Sequence, residues 1–120
     1  MSWDIFIQDL PDVASAKDIP VDFRPKPLGE REDVVARILR ALPNGDLQDT
    51  DWIFVNSDDI DLSIQLHMED AEQVRYMVAH VHGGLQSAAC VAALLNALGL
   101  RALDSNTGEF FDGATLDESL

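Results

Sequence analysis

The sequence predicts an α+β fold: a two-layer sandwich with a mainly antiparallel sheet of four to five strands and two helices on one face, in the order β-α-β-β-β-α-β. Three observations carry this. Ile60, Leu62, Ile64, Leu66 and Met68 alternate with Asp61, Ser63, Gln65 and His67, the period of a half-buried strand, and a second β-rich run follows a polar turn. Two segments, one after Gly29 and one before Gly99, repeat apolar residues at helical spacing. Most neighbouring strands are joined by turns too short for a parallel crossover.

Each element follows from its residues. Trp3, Ile5 and Ile7 fall on one parity and Asp4, Phe6 and Gln8 on the other, which predicts a first strand over 3–10. Pro11, Pro20, Pro25 and Pro27 exclude a long helix next. Val13, Ile19, Val21, Phe23 and Leu28 are expected to pin that stretch as an extended connection. The helix after Gly29 has Glu30, Glu32 and Asp33 in its first turn and Arg37 and Arg40 near its end, in accord with the helix dipole. Val34, Val35, Ile38, Leu39 and Leu42 form its apolar stripe, and Pro43-Asn44-Gly45 stops it. Residues 46–51 read as an acidic loop, and 52–55 as a short strand ended by Asn56-Ser57-Asp58-Asp59.

The hairpin is the clearest unit. With 69–73 as its turn and 74–82 as its return strand, the simplest register pairs Leu66 with Tyr76, Ile64 with Val78, Leu62 with His80 and Ile60 with His82. The apolar face then includes Val78, His80 and His82. The other face carries Asp61, Ser63, Gln65, His67 and Arg75 with Met77, Ala79 and Val81. A one-residue slip exchanges the two faces. Gly83-Gly84 breaks the strand, and a second helix runs from about Leu85 or Ser87 to Leu98 with Gly99 as its stop. Val91, Leu94, Leu95 and Leu98 are its core stripe. Residues 100–103 fit a short strand, Asn106-Thr107-Gly108 a turn, and Phe110-Phe111 a return to the sheet. Residues 112–120 read as an acidic, frayed tail on a single domain spanning 1–120.

Mass and composition bound the rest. At 13.2 kDa, folding should leave about 6,400 Å² of surface from about 19,000 Å² in the open chain, enough burial for a core without staples. The lone Cys90 sits in an apolar run and reads as a small buried hydrophobe. The opening residues lack the basic and apolar regions of a secretory signal. Residues 76–100 lack Asp, Glu, Lys and Arg, but His80, His82, Gly83-Gly84, Gln86, Ser87 and Asn96 interrupt them, so no membrane span is predicted. A cytoplasmic protein is expected. Twenty-two acids against 8 Lys and Arg give −14, which disfavours nucleic acid as a partner, because phosphate binding needs clustered cations.

No catalytic, cofactor or metal residue is assigned. His80 and His82 share a strand face, a spacing that can bind metal, but their parity with apolar residues makes a structural pair the preferred reading. The Asp-rich runs 46–51 and 58–61 lack the glycine and glutamate of a calcium loop. His82-Gly83-Gly84 precedes a helix without a phosphate-loop pattern or a nearby lysine, and reads as a turn.

Charge placement is the most informative feature. From Ala41 to Val74 there is no Lys or Arg, but nine acids. Such a field speeds encounter with a basic protein and rejects acidic competitors. The candidate partner-binding residues are Asp46, Asp49, Asp51, Asp58, Asp59 and Asp61, with His67 on the polar face of the hairpin and Trp52 as an anchor if exposed.

The opening Trp3-Asp4-Ile5-Phe6-Ile7-Gln8-Asp9-Leu10-Pro11 resembles that of a family of small, mostly uncharacterised bacterial proteins. Phe23-Arg24-Pro25-Lys26-Pro27-Leu28-Gly29, Ala79-His80-Val81-His82-Gly83-Gly84 and Leu98-Gly99-Leu100-Arg101-Ala102-Leu103-Asp104 extend the resemblance over nearly the whole chain. It implies a shared fold and brings no established activity with it. In size, acidity and layout the chain is also similar to immunity proteins of bacterial polymorphic toxin systems. The leading expectation is therefore an acidic protein-binding module, an immunity-type inhibitor of a basic toxin domain. Two rivals stand beside it. One is a small-molecule or metal site on the His80/His82 strand. The other is a structural or regulatory subunit with no catalytic activity, which exposure of Trp3, Phe6 and Met77 together would favour.

Overall fold

Two apolar helix stripes and one apolar sheet face have to be buried together, and the architecture follows from that requirement. The computed structural model describes residues 3–49 and 51–120. The strands are β1 (Trp3–Ile7), β2 (Gly29–Glu30), β3 (Asp46–Gln48), β4 (Trp52–Ser57), β5 (Ile60–Met68), β6 (Gln73–Gly83), β7 (Ala102–Asp104) and β8 (Phe110–Phe111). The helices are α1 (Arg31–Ala41), α2 (Ser87–Leu98) and α3 (Gly113–Ser119). The sheet order is β3-β4-β5-β6-β1-β7-β8, with β2 pairing with β6 past the end of β1. All of these pairings are antiparallel.

The predicted two-layer α+β sandwich is what forms. Val34, Val35 and Ile38 of α1 and Val91, Leu94, Leu95 and Leu98 of α2 share one core with Ile5, Ile7, Ile53, Val55, Leu62, Ile64, Leu66, Met77 and Ala79. The ladder places these sheet residues in register, Ile53 opposite Ile64, Ile64 opposite Ala79 and Ala79 opposite Ile5, so they lie on one face and both helices cover that face. Gly99 ends α2 in the left-handed region at φ 64°.

The sequence pattern undercounts the elements. Residues 46–51, expected as an acidic loop, contribute the edge strand β3, which is too short for any alternation to show. The tail expected to fray is helical instead. Asp112 caps α3 by accepting from the Thr115 backbone N–H at 2.7 Å, and Leu116 packs against the core.

The hairpin register is one residue from the expected one. Leu66 pairs with Met77, Ile64 with Ala79 and Leu62 with Val81. Near the turn, Met68 pairs with Val74 and His67 with Tyr76, which leaves Arg75 as an extra residue on β6. At the other end Asp61 pairs with Gly83 and Leu62 with Val81, which leaves His82 extra. The first bulge lets Val74, Met77 and Ala79 all reach the core, where each is fully buried. The expected register would instead have put two imidazoles under the helices, where a polar ring without partners costs free energy. Val78, expected in the common core, is buried on the opposite face.

The β4–β5 turn is held against the start of α2. Gly84 has φ +88°, and a Cβ there would stand 2.5 Å from the Asp59 carbonyl oxygen. The Gln86 N–H donates to that carbonyl at 2.9 Å. The fully buried Ser87 accepts from the Asp61 N–H at 3.0 Å and donates to the Gly83 carbonyl.

Two stability outcomes follow. Ile64→Ala should cost about 2–5 kcal/mol, as large-to-small core changes do, and lower the denaturant midpoint without changing the fold. Asp112→Ala should cost about 1 kcal/mol and raise amide exchange in α3 while leaving β5 and β6 protected. The backbone N–H and hydroxyl of Thr115 hold the Asp112 carboxyl below the usual carboxylate range. The cap is therefore complete above that range and is lost as pH falls through the lowered value.

Candidate functional site

The helices leave the second face of the sheet uncovered, and its residues are set by the same ladder. One row across the strands reads Gln48, Trp52, Gln65, Val78, Phe6, Leu103 and Phe110. The next reads Asp46, Phe54, Ser63, His80 and Asp4. His67 and Tyr76 form the start of a third. A solvated sheet face ordinarily alternates into polar residues. This one holds Phe6, Trp52, Phe54 and Tyr76, all half-buried.

The rings contact one another. Trp52 lies against Phe54 with centroids 5.8 Å apart and against His80 at the same distance. His80 stands 6.4 Å from His82, His67 stacks on Tyr76 at 4.5 Å, and Phe6 meets Tyr76 at 6.3 Å. Trp52 and His80 are two strands apart and meet over β5 because Ser63 between them is small. Ser63, with Phe54 and His80 as its cross-strand neighbours, is 5% exposed on this face, as is Val78.

Polar groups orient the imidazoles. Asp4 Oδ1 lies 2.8 Å from His80 Nδ1, and Gln65 Oε1 lies 3.5 Å from Nε2. The carboxylate can only accept, so Nδ1 carries a proton. The Gln65 amide can turn either its oxygen or its NH₂ toward Nε2, and so can serve the neutral or the charged ring. Burial and repulsion from His80 push the His67 pKa down, against an opposing pull from Asp51.

The connection after β1 closes the β7–β8 end of this face. Arg101 donates to the carbonyls of Pro11 and Val13 and lies 5.3 Å over the Phe110 ring. The Phe110 N–H donates to Ala14 at 2.9 Å. The part from β3 to β1 stays free of helices.

The acids border it unevenly. Asp58, Asp59 and Asp61 are exposed and stand together at the β4–β5 turn. Asp49 and Asp51 lie at the other end of β4, about 17 Å away along a six-residue strand. Asp46 sits on the edge strand opposite Phe54, and Asp51 is 4.0 Å from Arg31 of α1. The six candidate acids thus rim the face at its edge and both ends instead of forming one patch. His67 lies at the Asp51 end and packs on Tyr76, not opposite Arg75 as the expected register had it.

Other candidates are placed differently. Met77 is fully buried and Trp3 packs on the core and on Phe111, so of Trp3, Phe6 and Met77 only Phe6 lies on this face. Cys90 is half-buried beside the core, and burial pushes its thiol up, away from nucleophilic behaviour. His80 and His82 are on the open face, not on the apolar face where the expected register put them. Among the described residues no group of three His, Cys, Asp or Glu side chains is placed to hold a metal ion. No helix among the described residues is long and apolar enough to cross a membrane.

Sequence reasoning passed over Asp4, Phe54 and Tyr76. A signal existed at Trp52 and Phe54, which alternate with Ile53 and Val55. Aromatic rings on one parity and aliphatic chains on the other mark two different burial environments. Comparison with family models, curated proteins and solved structures returns no match, so the site stands on its own geometry.

The Asp4–His80 contact fixes a measurable state. At pH values where the ring is neutral, nitrogen-detected NMR should show His80 as the Nδ1–H tautomer. Asp4→Asn should shift it toward the Nε2–H form, which a mixed population in the wild type would contradict.

Proposed function

We propose that this chain is a cytoplasmic protein-binding module whose helix-free sheet face docks a basic protein, in the manner of an immunity-type inhibitor covering a basic toxin domain. One observation supports this reading above others: half-buried aromatic rings occupy the middle of an uncovered face whose edge and ends carry acids. Interfaces commonly have this anatomy, with aromatic anchors inside and a charged rim. The acid rim selects the partner's sign and speeds its approach, and the rings supply the area that is desolvated on contact. The chain's charge of −14 argues against a second copy as the occupant, since like charges would meet across the face.

The test is affinity capture from cells of the source organism, followed by binding kinetics with the captured partner. The partner should be basic. Association should slow markedly as salt rises, because exposed charges are screened over about 8 Å at physiological ionic strength. Asp58→Asn, Asp59→Asn and Asp61→Asn together should slow association and leave the unfolding transition in place. Trp52→Ala should act on dissociation instead, raising koff by roughly 30-fold, the loss of one aromatic anchor worth about 2 kcal/mol. Kinetics indifferent to salt, to the three charges and to Trp52 would overturn the reading.

A further inference from the structure

The histidines of this chain are concentrated where the proposed partner would sit. His80 lies among Asp4 of β1, Gln65 of β5, Trp52 of β4 and His82 of its own strand. His67 lies against Tyr76 of β6 and near Asp51 of the β3–β4 turn, which is itself 4.0 Å from Arg31 of α1. His82 is exposed at the end of β6, beside the turn that carries Asp58, Asp59 and Asp61. Histidine is the side chain whose charge ordinarily changes between about pH 5 and 8. Among the described residues of this face, no other type of side chain ordinarily does so.

We propose that protonation of His67, His80 and His82 gates the docking of a basic partner, so that the face binds at neutral pH and releases as pH falls. This rests on the docking reading above and adds its regulation. The sign follows from the contacts. Protonating His80 turns the Asp4–His80 pair from an anion into a neutral ion pair, which removes one negative charge from the face. Protonating His82 places a cation beside Asp61, and protonating His67 places one beside Asp51. Each event subtracts attraction for a basic surface and adds a charge that must be desolvated on contact. The geometry lets the change happen in place. Asp4 already accepts from Nδ1, and the Gln65 amide, 3.5 Å from Nε2, can turn its oxygen to accept from the charged ring. The lowered His67 pKa extends the response to lower pH. With only three histidines, full protonation leaves the chain strongly acidic, so the effect reports the local face and not the net charge.

The experiment uses the full chain and a fluorescent peptide of alternating lysine and leucine, which keeps its charge over the pH range. Chemical-shift mapping at about pH 7.5 locates the contact, and affinity is followed to about pH 5.5 at constant ionic strength. Shifts are expected at Trp52, Phe54, Gln65 and His80, with affinity falling about tenfold across the range, the scale expected for a few partly exposed charges. The His67→Gln, His80→Gln, His82→Gln variant should bind at both pH values like the wild type at the higher one. Should that variant unfold, the exposed His82→Gln paired with His80→Gln carries the same comparison at smaller amplitude. A contact on this face with affinity independent of pH, or with a pH response that survives the glutamine variants, overturns the gate and leaves the docking reading intact. Shifts confined to the helices or scattered over the acidic turns overturn both.

Discussion

The structure depends on one constraint: the sheet is covered by helices on a single face. The row Ile53, Ile64, Ala79, Ile5 runs across four strands beneath α1 and α2, every member without solvent contact. Alanine at the third position gives the helices room to sit close to the sheet, and the branched chains on either side fill the space left. Because pleated strands alternate, settling which residues enter this row also settles what stands on the far side. The aromatic rings and imidazoles of the open face are placed by the burial of their aliphatic neighbours, and no contact among themselves is needed to put them there.

The two bulges of the β5–β6 hairpin convert that constraint into a functional surface. Each inserts one residue into β6, Arg75 near the turn and His82 near the far end. Between them the strand is offset by one place relative to a regular hairpin, so Tyr76, Val78 and His80 face outward with His67, Gln65 and Ser63. Bulges recur at sites where a side chain has to be re-aimed. Here the re-aimed side chains complete a layer that begins with Trp52 and Phe54 on β4. The small, buried Ser63 lets rings from β4 and β6 approach over β5, joining residues from separate strands into one contiguous surface.

Charge is arranged around that layer and not through it. Apart from Asp4, which pairs with His80, the acids of this face occupy the β4 ends and the edge strand, where water solvates them at little cost, while the rings occupy the centre, where a partner would displace water most completely. Arg101 and Arg37 are used internally, the first on the carbonyls of Pro11 and Val13 and the second on those ending α2. Arg75 is near Glu69 at the hairpin turn. These three cations therefore brace loops and helix ends, and the part of the open face from β3 to β1 carries acids, rings and imidazoles. An imidazole paired with a carboxylate, as His80 is with Asp4, ties the electrostatics of the centre to that of the rim.

The sequence by itself determined the fold class, both long helices, the hairpin strands and the charge asymmetry. These are legible because each repeats a local period over many residues, as Val34, Ile38 and Val91, Leu95 do for the helices and Ile60 to Met68 for β5. The strands β2 and β3 escaped notice because two or three residues cannot show a period, and α3 because its residues read as a solvated tail until Asp112 capped them. The candidate acids were legible as a run, but their division between the two ends of β4 was not, since sequence order does not say which way a strand carries its turns. The register of β6 was decided only by tertiary structure. Both registers alternate equally well along the chain, and the one with Met77, Ala79 and Val81 inward wins because Ile5 and Ile7 of a distant strand, with two helices above them, exclude an imidazole from that side. A face exchanged by one residue is invisible to local pattern and costly only when the other layer is in place.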